Sequence, residues 1–311
     1  VTGKRTHQSV PSQTAYRALS AFDALSWATE TLSSNGIEDA RLDAEMLLRF
    51  ALGWSRAELY ARCREQIAPP TFETYQKLVE RRSRREPAPY IVGTKGFMSL
   101  EFEVNRDVLI PRPETELLAE FSIEFLKQTA PRYAPSSQIA MDIGTGSGCL
   151  AVTIAKYVPG AVVYASDISE AALAVAQRNA ARHGVAGQIH FRRGDLYDAY
   201  AKDELEGEIQ FIASNPPYIS RADLDELQPE IRKFEPQIAY FAGDDGLCFH
   251  KKLLQDAPLF LAPCGATALE VGFGQAERVR GIVLSDPRYE SCDVLTDLAG
   301  IERVITAGLK P

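Results

Sequence analysis

The run Asn215-Pro216-Pro217-Tyr218 concentrates more usable chemistry than any other four residues of the chain. It follows the apolar stretch Ile209–Ala213, so it stands at the carboxyl end of a strand pattern. The asparagine amide offers one acceptor and two donors. Two successive prolines remove two backbone N–H groups and hold φ near −65°, which stiffens the loop and leaves its carbonyls free to accept. The tyrosine adds a flat apolar face with a polar tip. Together these groups suit a site that holds a planar amide or amidine nitrogen. Read alone, the four residues also fit a proline-stopped strand end, the weaker of the two readings.

Upstream residues favour the site. Gly144-Thr145-Gly146-Ser147-Gly148 lies where the apolar run Ile139–Ile143 turns into a helical pattern beginning near Cys149. Glycines there let a backbone approach a ligand and expose helix N-terminal N–H groups. The dinucleotide fingerprint wants Gly or Ala at position 149, which is Cys149, and no Gly-Lys-Ser/Thr follows for a nucleoside triphosphate. Asp167 closes the next strand pattern, where an acid can accept both hydroxyls of a ribose. Asp195 follows the third, able to accept from an exocyclic amine while Leu196 packs on the base. Singly, each acid reads equally well as a turn or cap residue. Four successive strand ends carrying glycines, acid, acid and Asn-Pro-Pro-Tyr point to a nucleoside without a diphosphate beside a planar nitrogen. S-adenosylmethionine fits.

The elements that must hold these residues fall into two halves. Up to about Glu86 the pattern is helical. Leu19, Phe22, Leu25 and Ala28/Leu32 mark a first helix ending at Asn35-Gly36. Asp39 or Asp43 caps a second, Ser55 starts a third that runs to about Ile67, and Pro69-Pro70-Thr71 opens a fourth. Its end carries Arg81, Arg82, Arg84 and Arg85, read as a solvated helix end. Short alternating runs from Tyr90 to Ile110 suggest a hairpin. Beyond Ser136 strands and helices alternate, which implies a mostly parallel sheet covered on both faces. The last two strands, Ser291–Leu295 and Arg303–Ala307, have no helix between them and read as an antiparallel hairpin at one edge.

Composition narrows the function classes. The 311 residues are 45% hydrophobic and 24% charged, within the range of globular proteins. Lys plus Arg number 34 against 42 acids, a net charge of −8, without the basic excess of a duplex-binding protein. Five scattered cysteines with no C-x-x-C pair argue for reduced thiols and against zinc, and the four histidines show no ligand spacing. No apolar stretch approaches the roughly 20 residues of a membrane span. Val1–Ser20 holds no acid and reads as a disordered or extraneous terminus, or as a trimmed organellar presequence.

With these motifs in hand, the chain resembles the HemK/PrmC family of peptide-release-factor glutamine methyltransferases, within the class I S-adenosylmethionine-dependent methyltransferases. The likeness runs from about Ala40 to the C-terminus. It is carried by Glu86-Pro87, Tyr90-Ile91-Val92-Gly93, Val108 through Glu116 (with Pro111-Arg112-Pro113-Glu114), the glycine turn, Asn215-Pro216-Pro217-Tyr218, Phe234-Glu235-Pro236, and Gly243 through Leu247. The resemblance implies an α/β fold with a seven-stranded, mostly parallel sheet whose last strand is antiparallel. It also implies an N-terminal helical substrate-docking domain over residues 17–88, a hairpin linker over 89–110 and a methyltransferase domain over 111–311, after a terminus of 1–16. Gly144, Thr145, Gly146, Ser147, Gly148, Asp167, Asp195, Leu196 and Asn215 would contact S-adenosylmethionine. Asn215, Pro216, Pro217 and Tyr218 would hold the substrate, with Asn215, Pro216 and Tyr218 serving catalysis.

That substrate would be the glutamine of the Gly-Gly-Gln loop of a peptide chain release factor, methylated on its side-chain nitrogen. Leu196 departs from relatives that carry an aromatic there, which puts the strength of adenine stacking in question. The expected enzyme is a cytoplasmic monomer that meets no nucleic acid or membrane directly, or an organellar matrix protein if a presequence was trimmed. Rival acceptors are a ribosomal-protein glutamine and the N6 of adenine in nucleic acid, which would require base flipping and strand contacts. A catalytically silent cofactor-binding adaptor would be expected to lack the strand-end residues, and none is missing. Arg112, Glu114 and Glu235 stay outside the expected site, because an inter-domain salt bridge or helix cap explains them as well.

Overall fold

The computed structural model describes residues 19–129 and 138–311. The reading of residues 1–16 as an extraneous terminus lies outside them. Chain contacts separate two compact units between Val92 and Gly93.

The first unit contains α1 (Ala21–Ser34), α2 (Ala40–Leu52), α3 (Arg56–Ala61), α4 (Pro69–Ser83) and the short α5 (Ala88–Val92). Ser20 and Asp23 form a reciprocal capping box that starts α1, and Ser55 with Glu58 does the same for α3. The buried stripe of α1 is Ala21, Ala24, Leu25, Ala28 and Leu32. Phe22, expected in that stripe, is exposed. Asp39 occupies the N-cap position of α2 but makes no side-chain cap bond. Asp43 instead takes the Arg82 guanidinium at 2.6 Å.

Arg82 is therefore a buried ion-pair member rather than part of a solvated helix end. Helix α3 stops at Ala61, short of Ile67, because the following carbonyls serve the start of α1. Cys63 O accepts the Phe22 N–H at 2.8 Å and Glu65 O accepts the Ala21 N–H at 2.9 Å. Residues 89–92, expected to begin a hairpin linker, belong to α5. Replacing Ser55 by alanine removes one half of its capping box and is expected to destabilise this unit by about 1 kcal/mol, read as a lower denaturant midpoint at unchanged m-value.

The second unit opens with the hairpin β1 (Thr94–Phe97) and β2 (Leu100–Glu103) and then α6 (Thr115–Thr129). A seven-stranded sheet follows: β3 (Ile139–Ile143), β4 (Val162–Asp167), β5 (Ile189–Arg193), β6 (Ile209–Ser214), β7 (Leu261–Glu270), β8 (Tyr289–Thr296) and β9 (Glu302–Leu309). Connecting them are α7 (Cys149–Tyr157), α8 (Glu170–Arg182), α9 (Pro229–Phe234), α10 (Cys248–Phe260) and α11 (Ala276–Ser285). The strand order is β5-β4-β3-β6-β7-β9-β8, with β3 to β7 parallel and β9 antiparallel to both its neighbours.

Alternation along the strands divides the core between the two faces. Phe211 and Ala213 join Leu118, Leu126, Val152 and Ile154 on one side. Ile212 joins Leu254, Ala257, Val279 and Val283 on the other, as does Ile209, which a register shift before Phe211 takes out of the alternation. The expected hairpin of the last two strands is present, but the final strand β9 lies between β7 and β8 rather than at the edge. The chain runs outward from β3 to β5 and then returns to place β6 on the other side of β3. Strand order reverses there, and crevices of open α/β sheets form at the carboxyl ends of such a switch point. No described helix is long and apolar enough to cross a membrane.

Candidate active site

At that switch point lies a cavity of about 330 Å³, within the size range of small-molecule sites. Each strand end contributes in turn. After β3, Gly144 and Gly146 both adopt positive φ, and a Cβ at either would meet nothing within 4 Å. The turn is pinned from below. The Gly144 and Thr145 N–H groups donate to Ser166 O at 2.9 and 2.8 Å. Asp142 Oδ2 accepts from Thr145 Oγ1 at 2.6 Å and from the Ala151 N–H at 3.0 Å. Complete burial raises the Asp142 carboxyl to about 6, against those two hydrogen bonds, which lower it.

At the end of β4, Asp167 Oδ2 accepts the Gly146 N–H and Oδ1 accepts the Ser169 N–H, each at 2.9 Å. Burial raises its pKa despite both bonds. The Ile168 N–H also favours the charged form; a carboxylate has about four acceptor positions, so at least one remains for a ligand. Asp195 after β5 lines the cavity but is exposed, and Lys252 Nζ approaches its carboxylate to 4.0 Å. Leu196 beside it has φ 48 and opens a short 3-10 turn through Tyr200. The open glycine turn, the Asp167 carboxylate and the apolar walls from Leu196, Ile168 and Phe249 fit a nucleoside-bearing cofactor such as S-adenosylmethionine.

The end of β6 supplies Ser214, Asn215, Pro216 and Pro217 to the cavity. Ser214 Oγ donates to Ile143 O at 2.6 Å and so locks β6 to β3 at the switch point. Asn215 Nδ2 donates to Thr115 Oγ1 at 3.0 Å, Thr115 Oγ1 donates to Glu270 Oε2 at 2.6 Å, and Tyr218 OH donates to Glu270 Oε1 at 3.4 Å. The Tyr218 carbonyl is held by Gln275 Nε2 at 2.8 Å. Above the cavity, Arg112 Nη2 meets Glu235 Oε1 at 2.6 Å, while Glu235 Oε2 accepts the Ile110 N–H at 3.2 Å. This pair fastens the Ile110–Glu116 segment to the loop after α9. Both partners lie in the second unit, so the expected inter-domain bridge is an intra-domain one.

Two expected site residues stand off the cavity wall. Gly148 is the N-cap of α7, and a Cβ there would lie 2.9 Å from Ala176 Cβ, so it permits close packing of α7 against α8. Tyr218 is half-buried behind the prolines, with its ring against Gly272 and its hydroxyl on Glu270. The structure brings Gly144, Thr145, Gly146, Ser147, Asp167, Asp195, Leu196, Asn215, Pro216 and Pro217 onto one cavity.

Residues 23–93 match the PrmC N-terminal domain model, and residues 120–230 match the Methyltransferase small domain. A Release factor glutamine methyltransferase of Geobacter sulfurreducens is 41% identical over 281 residues, which is 90% of this chain and 94% of the relative. The chain belongs to the release factor glutamine methyltransferase family. A second relative of that description, from Moorella thermoacetica, is 38% identical over 91% of this chain and 96% of its own. The solved hMettl16 catalytic domain, in complex with MAT2A 3'UTR hairpin 6, matches 78% of this chain and 84% of its own with a TM-score of 0.52 at 13% identity. That likeness is one of fold.

Sequence reasoning missed several cavity residues, among them Thr115, Phe249 and Lys252. Glu270 had a visible signal: an acid inside the apolar run Leu269-Glu270-Val271 must be buried and therefore partnered.

Proposed function

We propose that this chain transfers a methyl group from S-adenosylmethionine to the side-chain amide nitrogen of the glutamine in the Gly-Gly-Gln motif of peptide chain release factors. The observation that carries the reading is Asn215. Its amide nitrogen is committed to Thr115, so its oxygen is left to accept, at the wall of a cavity that ends in two prolines. Gly144 through Ser147, Asp167, Asp195 and Leu196 hold the cofactor, with the Asp167 carboxylate accepting from the ribose. The cofactor supplies a methyl group activated on a sulfonium.

A carboxamide nitrogen is a weak nucleophile because its lone pair is delocalised into the carbonyl. Asn215 Oδ1 and the Pro216 carbonyl each accept one N–H of the substrate amide, which orients the nitrogen and favours its localised, pyramidal form. Pro216 and Pro217 supply no competing N–H donors. Tyr218 backs the prolines and excludes water from behind the amide. No strong base is needed before transfer, since methylation itself acidifies the nitrogen and its proton can leave to water. Orientation of this kind is worth up to roughly 7–11 kcal/mol. The first unit serves as the release-factor dock, and the enzyme works as a cytoplasmic monomer without a nucleic-acid partner.

The test is methyl transfer from labelled S-adenosylmethionine to a panel of one purified release factor, ribosomal proteins and adenine-bearing DNA and RNA. Label confined to the release factor is expected. Label on a ribosomal protein or on a nucleic acid instead would replace the substrate while keeping the cofactor.

A further inference from the structure

Asn215 can help a substrate amide only if its own carboxamide faces the cavity oxygen-first. The two ends of an asparagine amide have nearly the same shape, so shape alone does not choose. The choice is made by hydrogen-bond polarity behind it. Glu270 is 2% exposed and sits at the end of β7. One of its oxygens takes the Thr115 hydroxyl at 2.6 Å, and the other takes Tyr218 OH at 3.4 Å. An ionised carboxylate only accepts, so Thr115 must spend its single proton on Glu270. The Thr115 oxygen then has only lone pairs to offer and can bind Asn215 solely through Nδ2, at 3.0 Å.

We propose that Glu270, acting through the Thr115 hydroxyl, is a positioning residue that fixes which end of the Asn215 carboxamide faces the substrate. The same carboxylate anchors Tyr218, so the first and last residues of Asn-Pro-Pro-Tyr answer to one buried group. The inference rests on the glutamine-methylation reading for its consequence in catalysis, but not for the orientation itself.

The relay is polar in one direction only while Glu270 is ionised. Protonated, the carboxyl could donate to Thr115, whose own proton would then be free to seek Asn215 Oδ1 and turn the amide round. Burial, seconded by Glu114, raises Glu270 to about 7 against the Thr115 and Tyr218 hydroxyls and Arg303, which lower it. The remaining neighbours are His250 of α10 and Cys149 of α7. His250 Nε2 lies 2.8 Å from the Glu270 carbonyl oxygen, and burial lowers its pKa towards the neutral ring. Cys149 is a thiol that burial pushes up to about 12. Of these groups Glu270 is the one placed to change charge near neutrality. The productive orientation is therefore held above about pH 7 and lost as the pH falls through it.

Two substitutions and two readouts decide the matter. In Thr115→Val the relay is cut at constant shape; in Thr115→Ser it is kept. The expected result is a kcat at least about tenfold lower for Thr115→Val, with the KM for release factor and the affinity for S-adenosylhomocysteine changed by no more than about twofold. Thr115→Ser should recover most of kcat. The acid limb of kcat should be present in the wild type and Thr115→Ser and absent from Thr115→Val. A purely structural threonine would leave that limb in place in all three.

The second readout needs no methyl acceptor. The Asn215 side-chain amide, assigned by its loss in Asn215→Ala, should be protected from solvent exchange in ¹⁵N NMR of the wild type and exchange freely in Thr115→Val. Equal protection in both proteins, or wild-type kcat in Thr115→Val, overturns the relay. A wild type that fails to label any release factor overturns the substrate reading instead, and the exchange measurement still decides the relay.

Discussion

Replacing Asn215 by alanine is expected to lower kcat by at least about tenfold to a hundredfold, with cofactor affinity falling much less. The substitution removes the acceptor that meets the substrate amide, and an unmade polar contact at a closed site costs about 1–3 kcal/mol. It also strips Thr115 of its Nδ2 partner at 3.0 Å, so the hydroxyl that served the asparagine faces a void. The cofactor cradle is built on different strand ends: the turn after β3 is fixed by hydrogen bonds to Ser166 O and Asp142 that do not involve Asn215. Steady-state kinetics beside calorimetric titration with S-adenosylhomocysteine separates the two effects. Near wild-type turnover in Asn215→Ala would remove the asparagine from the reaction.

A loss of the opposite kind is expected at Asp167. In Asp167→Asn one oxygen that now accepts a backbone N–H becomes an amide nitrogen, which sets donor against donor at either Gly146 or Ser169. The turn that carries Gly146 loses its anchor, and a ribose hydroxyl loses a charged acceptor. Hydrogen bonds to charged groups are worth about 1.5–3 kcal/mol each, so cofactor affinity should fall by roughly tenfold to several hundredfold. At saturating cofactor kcat should recover substantially, because the Asn215 relay is untouched. A titration showing unchanged affinity would contradict the assignment of Asp167 to the ribose.

What the sequence exposed and what it hid follow from how far apart the interacting residues lie. The cradle was legible because its signals are local. A glycine turn after an apolar run, an acid closing the next run and a proline-stiffened strand end are each set by a few neighbouring residues. Alternating strand and helix periods then forced the parallel sheet that brings those ends together. Gly148 shows the limit of such reasoning: it shares the spacing of Gly144 and Gly146, yet its neighbour is Ala176, on the following helix. The Thr115–Glu270 bond joins residues 155 positions apart, so no window along the chain contains both. Arg82 misleads for the same reason, since its partner Asp43 lies 39 residues away and turns part of an apparent basic run into a buried ion pair. The position of β9 between β7 and β8 is likewise a pairing choice that strand periodicity leaves open.

The central claim is that the acceptor is one glutamine side chain in one protein loop. It is tested most directly by methyl transfer from labelled S-adenosylmethionine to a purified release factor, run beside the same factor with its Gly-Gly-Gln glutamine replaced by alanine. Label on the first and none on the second is the predicted result, with peptide mass spectrometry placing the added methyl on that glutamine. Equal labelling of both factors, or labelling of neither, would contradict it.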